Sequence, residues 1–153
     1  MAFVLALTIG FVAGLRSMTA PAAVSWAACF HWLNLEGTPL QFMGSGVAVA
    51  ILTLAALAEL VADKLPRTPN RTSAGPLIGR IVLGGLSGAA LSLAFGNSLL
   101  AGAGLGGLGA VLGAYAGYHA RRRLVAGLKT RDLVVALGED VLAIALAYLV
   151  VTR

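Results

Sequence analysis

Residues 14–21 have the sequence GLRSMTAP and lie in the middle of an apolar stretch that runs from residue 2 to residue 33. A continuous helix over this stretch would be about 48 Å long, which exceeds the thickness of the hydrocarbon core. Pro21 lacks an N–H and disfavours helix at Ala20, whereas Ser17 and Thr19 can cap a helix that follows them. We predict two half-helices, over 2–15 and 20–33, that either cross once with a kink or form a re-entrant hairpin.

The composition of the 153-residue chain indicates that its solvent is a lipid bilayer. Hydrophobic residues make up 59% of it and charged residues only 11%, against about 45–50% and about 25% in soluble domains. A soluble protein of this size could not bury so much apolar surface. The composition therefore excludes a soluble enzyme, a disordered chain and a disulfide scaffold.

Four further stretches are apolar enough to cross the membrane, and every backbone N–H within lipid must be bonded inside its own segment. We therefore predict one all-α domain over 1–153, a transmembrane helix bundle of about five spans. The four later spans are expected at 43–65, 78–95, 98–120 and 132–152.

Basic residues are concentrated in two connections between these spans. The segments 63–80 and 121–131 hold 9 of the 11 Lys and Arg residues, and such segments face the cytoplasm. We expect a multi-pass protein of the bacterial inner membrane with both segments cytoplasmic and with no nucleic-acid partner. If the first stretch crosses the membrane once, the N-terminus is cytoplasmic. If the stretch forms a re-entrant hairpin, the N-terminus is on the opposite side.

Five glycines fall on one stripe of the fourth span, which lets helix backbones approach closely. They pack either within one protomer or across a homodimer, which we expect as the oligomer; a smooth wall for a moving substrate is the alternative. The glycines are Gly102, Gly106, Gly109, Gly113 and Gly117.

Four acidic residues lie in or at the end of apolar helices, where a charge is costly and usually functional. We predict a proton- or cation-coupling role for Glu59, Asp63, Glu139 and Asp140. Asp63 has an alternative, an interfacial position paired with Lys64 or Arg67.

Arg16 is the natural partner for these acids, because it lies at the predicted break in the first stretch. An arginine beside an unwound segment, with the hydroxyls of Ser17 and Thr19, forms a corner that accepts anions. The alternative is a buried ion pair of Arg16 with Glu59 or Glu139.

The segment 64–80 holds three arginines that can bind phosphate on a lipid headgroup or on a substrate. We predict that Arg67, Arg71 and Arg80 recruit such an anion at the cytoplasmic face, with anionic lipid as a partner. The simpler explanation is that these charges only set the orientation of the helices in the membrane.

Signatures of known catalytic and metal sites do not occur in the sequence. Cys29 is the only cysteine, and His31 and His119 lie near opposite faces of the predicted bundle. We expect no enzyme, no catalytic residue, no metal ion and no cofactor.

The motifs GLRSMTAPAAVSW at 14–26, ELVADKLPRTPNRT at 59–72 and GR at 79–80 resemble those of small membrane proteins grouped as the domain-of-unknown-function 4126 family. The resemblance covers most of the chain. It implies a polytopic bacterial membrane protein and implies no activity.

Two functions remain open from the sequence. The first is a small transporter or permease that moves a small ion or an anionic substrate. A phosphate-bearing substrate and a lipid are both open, as is coupling to protons or to a cation. The second is a non-transporting subunit, scaffold or assembly factor of a larger membrane complex, in which the buried charges are structural.

Overall fold

The computed structural model describes residues 1–63, 73–128 and 132–153, except for the side chains of residues 125–128, 132 and 133. All regular elements in these ranges are helical, which confirms the predicted class. They are α1 (Ala2–Leu15), α2 (Thr19–Cys29), a short 3-10 helix (Gln41–Gly44), α3 (Gly46–Ala62), α4 (Ala74–Ala94), α5 (Leu99–Leu128) and α6 (Asp132–Val151).

Three of these helices, α4, α5 and α6, are long and apolar enough to cross a membrane. The apolar helices α1 and α3 are shorter, with 14 and 17 residues. The first stretch breaks where the sequence predicts: α1 ends at Leu15, Arg16 is extended with φ −141° and ψ 107°, and α2 begins at Thr19. Pro21 lies in the first turn of α2, where its missing N–H costs nothing. We call residues 16–18 the hairpin tip.

Contacts along α1 show that it runs parallel to α5. Gly10 faces Gly106, and Gly14 faces Gly113 further along both helices. The next helix, α2, runs parallel to α6, because Arg16 before α2 contacts Asp140 and Trp32 after it contacts Tyr148.

The helices α5 and α6 are antiparallel, because the chain that leaves Gly113, which faces Gly14, returns to the same level at Asp140, which contacts Arg16. It follows that α1 and α2 are antiparallel and form the re-entrant hairpin. The N-terminus therefore lies at the end of the bundle opposite the 63–80 connection. The single-crossing orientation, with the N-terminus beside that connection, is wrong.

Glycines hold α1, α4 and α5 at backbone contact, and we call these helices the glycine trio. A Cβ added at Gly10 would overlap the carbonyl oxygen of Gly106, and one added at Gly106 would overlap that of Gly84. Gly102, Gly109 and Gly113 also face backbone of α4 or α1. The stripe thus packs within one chain, and a homodimer, which stays a prediction, has to use another surface.

The other half, made of α2, α3 and α6, is packed more loosely, and we call it the grooved half. Val49 is the only buried residue of α3, which packs mainly against α2 and the 3-10 helix. A groove of about 450 Å³ opens between α2, α3 and α6.

A left-handed residue ends α2 and directs the chain away from it. His31 has φ 59°, its N–H donates to Ala28 O at 3.1 Å, and Trp32 N–H donates to Ala27 O at 2.9 Å. This is the Schellman arrangement, which usually has glycine at the left-handed position. The turn carries Trp32 to Tyr148 of α6, with ring centroids 6.2 Å apart.

Candidate functional site

Arg16 lies at the centre of a buried charge cluster at the hairpin tip. Its side chain is fully buried, and its two terminal nitrogens donate to Asp63 at the end of α3 and to Asp140 of α6. One guanidinium thus joins the hairpin, α3 and α6. Two carboxylates compensate its charge, which a buried arginine requires.

Glu59 of α3 caps the helix that leaves the tip. Its carboxylate accepts from the backbone N–H of Ser17 and of Met18, both at 2.8 Å, and from the Ser17 hydroxyl. These N–H groups precede α2 and have no partner inside that helix. A carboxylate at this end also interacts favourably with the helix dipole.

Arg80 of α4 caps the helix that arrives at the tip. It is only 4% exposed and donates to the carbonyl oxygens of Gly14 and Leu15 at 2.7 and 3.0 Å. These carbonyls end α1, where a cation is favourable. The break in the first stretch therefore has an acid at one helix end and a base at the other.

Arg16 has two carboxylate partners at the tip, those of Asp63 and Asp140. An added anion would have to replace a carboxylate on a terminal nitrogen of Arg16 or bind its Nε, which is buried and has no hydrogen-bond partner among the described residues.

Arg16 forms a buried ion pair, but not with Glu59 or Glu139, the two partners that the ion-pair alternative named. Arg16 pairs with Asp63 and Asp140, whereas Glu59 binds backbone and the Ser17 hydroxyl. Glu139 is half-buried beside Asp140. The carboxylate of Asp63 reaches back to the hairpin tip, and the residues of its interfacial alternative, Lys64 and Arg67, lie outside the described residues.

Arg80 does not lie in an accessible loop, as the sequence-based prediction required. It is inside α4 and buried, so it cannot recruit an anion from the aqueous phase. The signal was present, because residue 80 falls within the predicted span 78–95, where an arginine must find partners. Arg67 and Arg71 lie outside the described residues.

Thr19, the third residue predicted for the anion corner, is half-buried and starts α2. It lines the groove together with Leu60 of α3, at the end of the groove that is nearest the hairpin tip. The groove is apolar over almost its whole surface, and Arg16 is fully buried behind it. Within the described ranges, no group of three His, Cys, Asp or Glu side chains could hold a metal ion.

A family model described as domain of unknown function (DUF4126) matches residues 3–152. No curated protein and no solved structure matches the chain.

Proposed function

We propose a function for this chain from its hairpin tip, because the chain belongs to the DUF4126 family, whose description assigns no activity. The proposed function is that of a small membrane carrier that moves a proton together with a small anion.

The observation that carries this proposal is the tip itself: a non-helical backbone segment, buried among helices, with an arginine held between two aspartates. Irregular backbone at membrane depth is tolerated only inside protein or along a cavity. Broken helices whose ends meet ionisable side chains are the usual binding sites of secondary transporters.

The arrangement couples the two ions through Arg16. When Asp63 or Asp140 takes up a proton, the guanidinium keeps one carboxylate and loses the other as a charged acceptor. A buried donor without a good acceptor is unfavourable, so an anion gains affinity for the vacated side of Arg16. Release of the proton restores the carboxylate and expels the anion. Movement of a proton together with a monovalent anion carries no net charge across the membrane.

Glu59 keeps the tip in place during this cycle, because it binds the backbone of Ser17 and Met18 rather than the guanidinium. The proposal places the basic segments 63–80 and 121–131 in the cytoplasm by the positive-inside rule. Both chain ends then face outward, and Arg67 and Arg71 draw the anion toward the membrane.

The test uses purified protein in liposomes that contain a pH-sensitive dye. Chloride, nitrate, formate and phosphate salts are added in turn to the outside of the liposomes, and acidification of the lumen is recorded. We expect acidification with at least one anion, at a rate that does not change when valinomycin and potassium clamp the membrane potential.

Two variants separate coupling from folding. Asp140→Asn imitates the protonated residue, so anion movement should persist while proton movement falls at least tenfold. Glu36→Gln, on the exposed connection after α2, is the matched control and should transport like the natural chain. Coupled flux that is unchanged in Asp140→Asn, or no flux above empty liposomes for any anion tested, would contradict the proposal.

A second candidate, a non-transporting subunit of a larger membrane complex, is favoured by one observation. Arg16 is fully buried and the groove beside the tip is apolar, so the groove offers water no polar route to Arg16. Here the charges would only fix helix positions. Absence of flux, together with loss of folding in Arg16→Met, would favour this candidate.

A further inference from the structure

The groove of the grooved half lies at a place where the surrounding solvent is lipid. It opens between α3 and α6, with α2 as its floor, and its volume of about 450 Å³ lies within the usual range for ligand sites, about 300–1,000 Å³. It exists because small side chains line it from two sides, among them Ala22, Ala23 and Ala56.

Water is a poor occupant of this groove. A buried water needs two to four polar partners, and the hydroxyls among the lining residues are those of Thr19, Thr53 and, at the aromatic end, Tyr148. Thr53 already accepts from the indole N–H of Trp26 at 3.0 Å. An empty groove would leave its lining atoms without dispersion contacts.

One end of the groove is marked by aromatic rings. Trp26, Phe30, Trp32 and Tyr148 form a chain of ring contacts with centroid separations of 5.3, 5.5 and 6.2 Å. These rings lie near the end of α2 and within the last turn of α6. Aromatic residues with a polar edge settle at the level of the lipid headgroups, so this end is at the membrane interface and Thr19 is at depth.

The groove also separates α3 from α6. Apart from its packing on α2, α3 is tied to the bundle by Glu59 and Asp63 at the tip and by Thr53 midway. Its side toward α6 therefore requires an apolar filler that enters from the membrane plane.

We propose that the groove binds one acyl chain of a bilayer phospholipid, with the headgroup at the aromatic rings and the chain running toward Thr19. This site is distinct from the charge cluster, and it stands whether or not the protein transports ions. The bound chain replaces the helix–helix contact that α3 lacks with α6.

The chain offers its own probe, because it contains only two tryptophans and both line the groove. Brominated acyl chains quench tryptophan on contact. Phosphatidylcholine brominated in mid-chain is titrated into the purified full-length protein in detergent micelles, and the ratio of unquenched to quenched fluorescence is recorded. We expect saturable quenching with a stoichiometry near one lipid per chain.

The decisive variants lie on α3. Ala56→Phe fills the groove and should reduce the saturable quenching at least threefold, whereas Ala58→Phe, on the exposed side of the same helix, should leave it unchanged. Ala23→Leu fills the groove from α2 and should reduce the quenching in the same way, so the test does not depend on the folding of Ala56→Phe. Far-ultraviolet circular dichroism and gel filtration show that each variant is folded.

A depth comparison sharpens the result. Trp32→Phe leaves only Trp26, which lies deeper, and Trp26→Phe leaves only Trp32 at the rim. Mid-chain bromine should quench the Trp26 protein more strongly, and a brominated headgroup should reverse the order. Quenching that never saturates, or that is equal in Ala56→Phe and Ala58→Phe, would overturn the proposal in favour of ordinary contact with bulk detergent and lipid.

Discussion

The glycine trio and the grooved half solve the packing of membrane helices in opposite ways. In the trio, missing side chains let backbones touch, and a Cβ at Gly10 or Gly106 would overlap main-chain atoms. In the grooved half, small residues such as Ala56 leave an open groove instead. Small residues thus bring helices together only when they face each other on both helices.

The hairpin tip joins the two halves. Arg80 of the trio holds the end of α1, while Glu59, Asp63 and Asp140 of the grooved half hold the segment that follows. The cluster is therefore the strongest contact of α3 with the rest of the bundle, and substitutions there should have the largest effects on stability.

The largest effect is expected for Arg16→Ala. Removing the guanidinium takes away the ion-pair partner that Asp63 and Asp140 share, which should lower the free energy of unfolding by about 3–5 kcal/mol. Thermal unfolding in detergent, followed by circular dichroism, measures this change. Arg122→Ala, at an exposed position of α5, is the control, and an equal loss in both variants would contradict the role of the ion pairs.

A smaller loss is expected for Gly106→Ala in the trio. The new methyl group overlaps the carbonyl of Gly84 and forces α4 and α5 apart, which should lower the free energy of unfolding by about 1–3 kcal/mol. Gly104→Ala, where a Cβ has nothing within 4 Å, should not lower it, because alanine is favoured over glycine in a helix interior by about 1 kcal/mol. If the two alanines behave alike, the distinction between the trio and the rest of α5 fails.

The cap on α2 is expected to contribute less again. Glu59→Gln keeps the shape but loses the charge and one acceptor, which should cost about 0.5–2 kcal/mol, the range for helix N-caps. Hydrogen exchange at Ser17 and Met18 should accelerate selectively, because their N–H groups donate to this carboxylate. Acceleration spread equally over α4 and α5 would indicate global rather than local destabilisation.

The smallest effect is expected at the groove. Thr53→Val removes the acceptor of the Trp26 N–H and should cost about 0.5–1.5 kcal/mol, the net contribution of an ordinary hydrogen bond. The tryptophan emission maximum should shift as its N–H loses this partner. Thr152→Val, at the exposed end of the chain, should leave both measurements unchanged.

The sequence predicted the elements that depend on local chemistry. The helix break at Arg16, the all-helical class and the stripe at Gly102–Gly113 follow from proline, apolar length and glycine spacing. The presence of acids inside the bundle also followed from their position in apolar helices.

Pairing within the site did not follow from the sequence, because it depends on which helix faces the tip. Glu59 and Asp63 are one turn apart on α3, yet one caps a backbone and the other binds Arg16. The same holds for Glu139 and Asp140, which point in different directions on α6. Helix rotation decides each choice, and the weak amphipathicity of membrane helices does not reveal it.

The hairpin has a consequence for how the chain could be joined to others. Since α1 and α2 form a re-entrant hairpin, the first and last residues lie at the same end of the bundle. Reporters fused to either terminus should be exposed to one and the same compartment. A head-to-tail tandem of two copies would likewise insert without inverting the second.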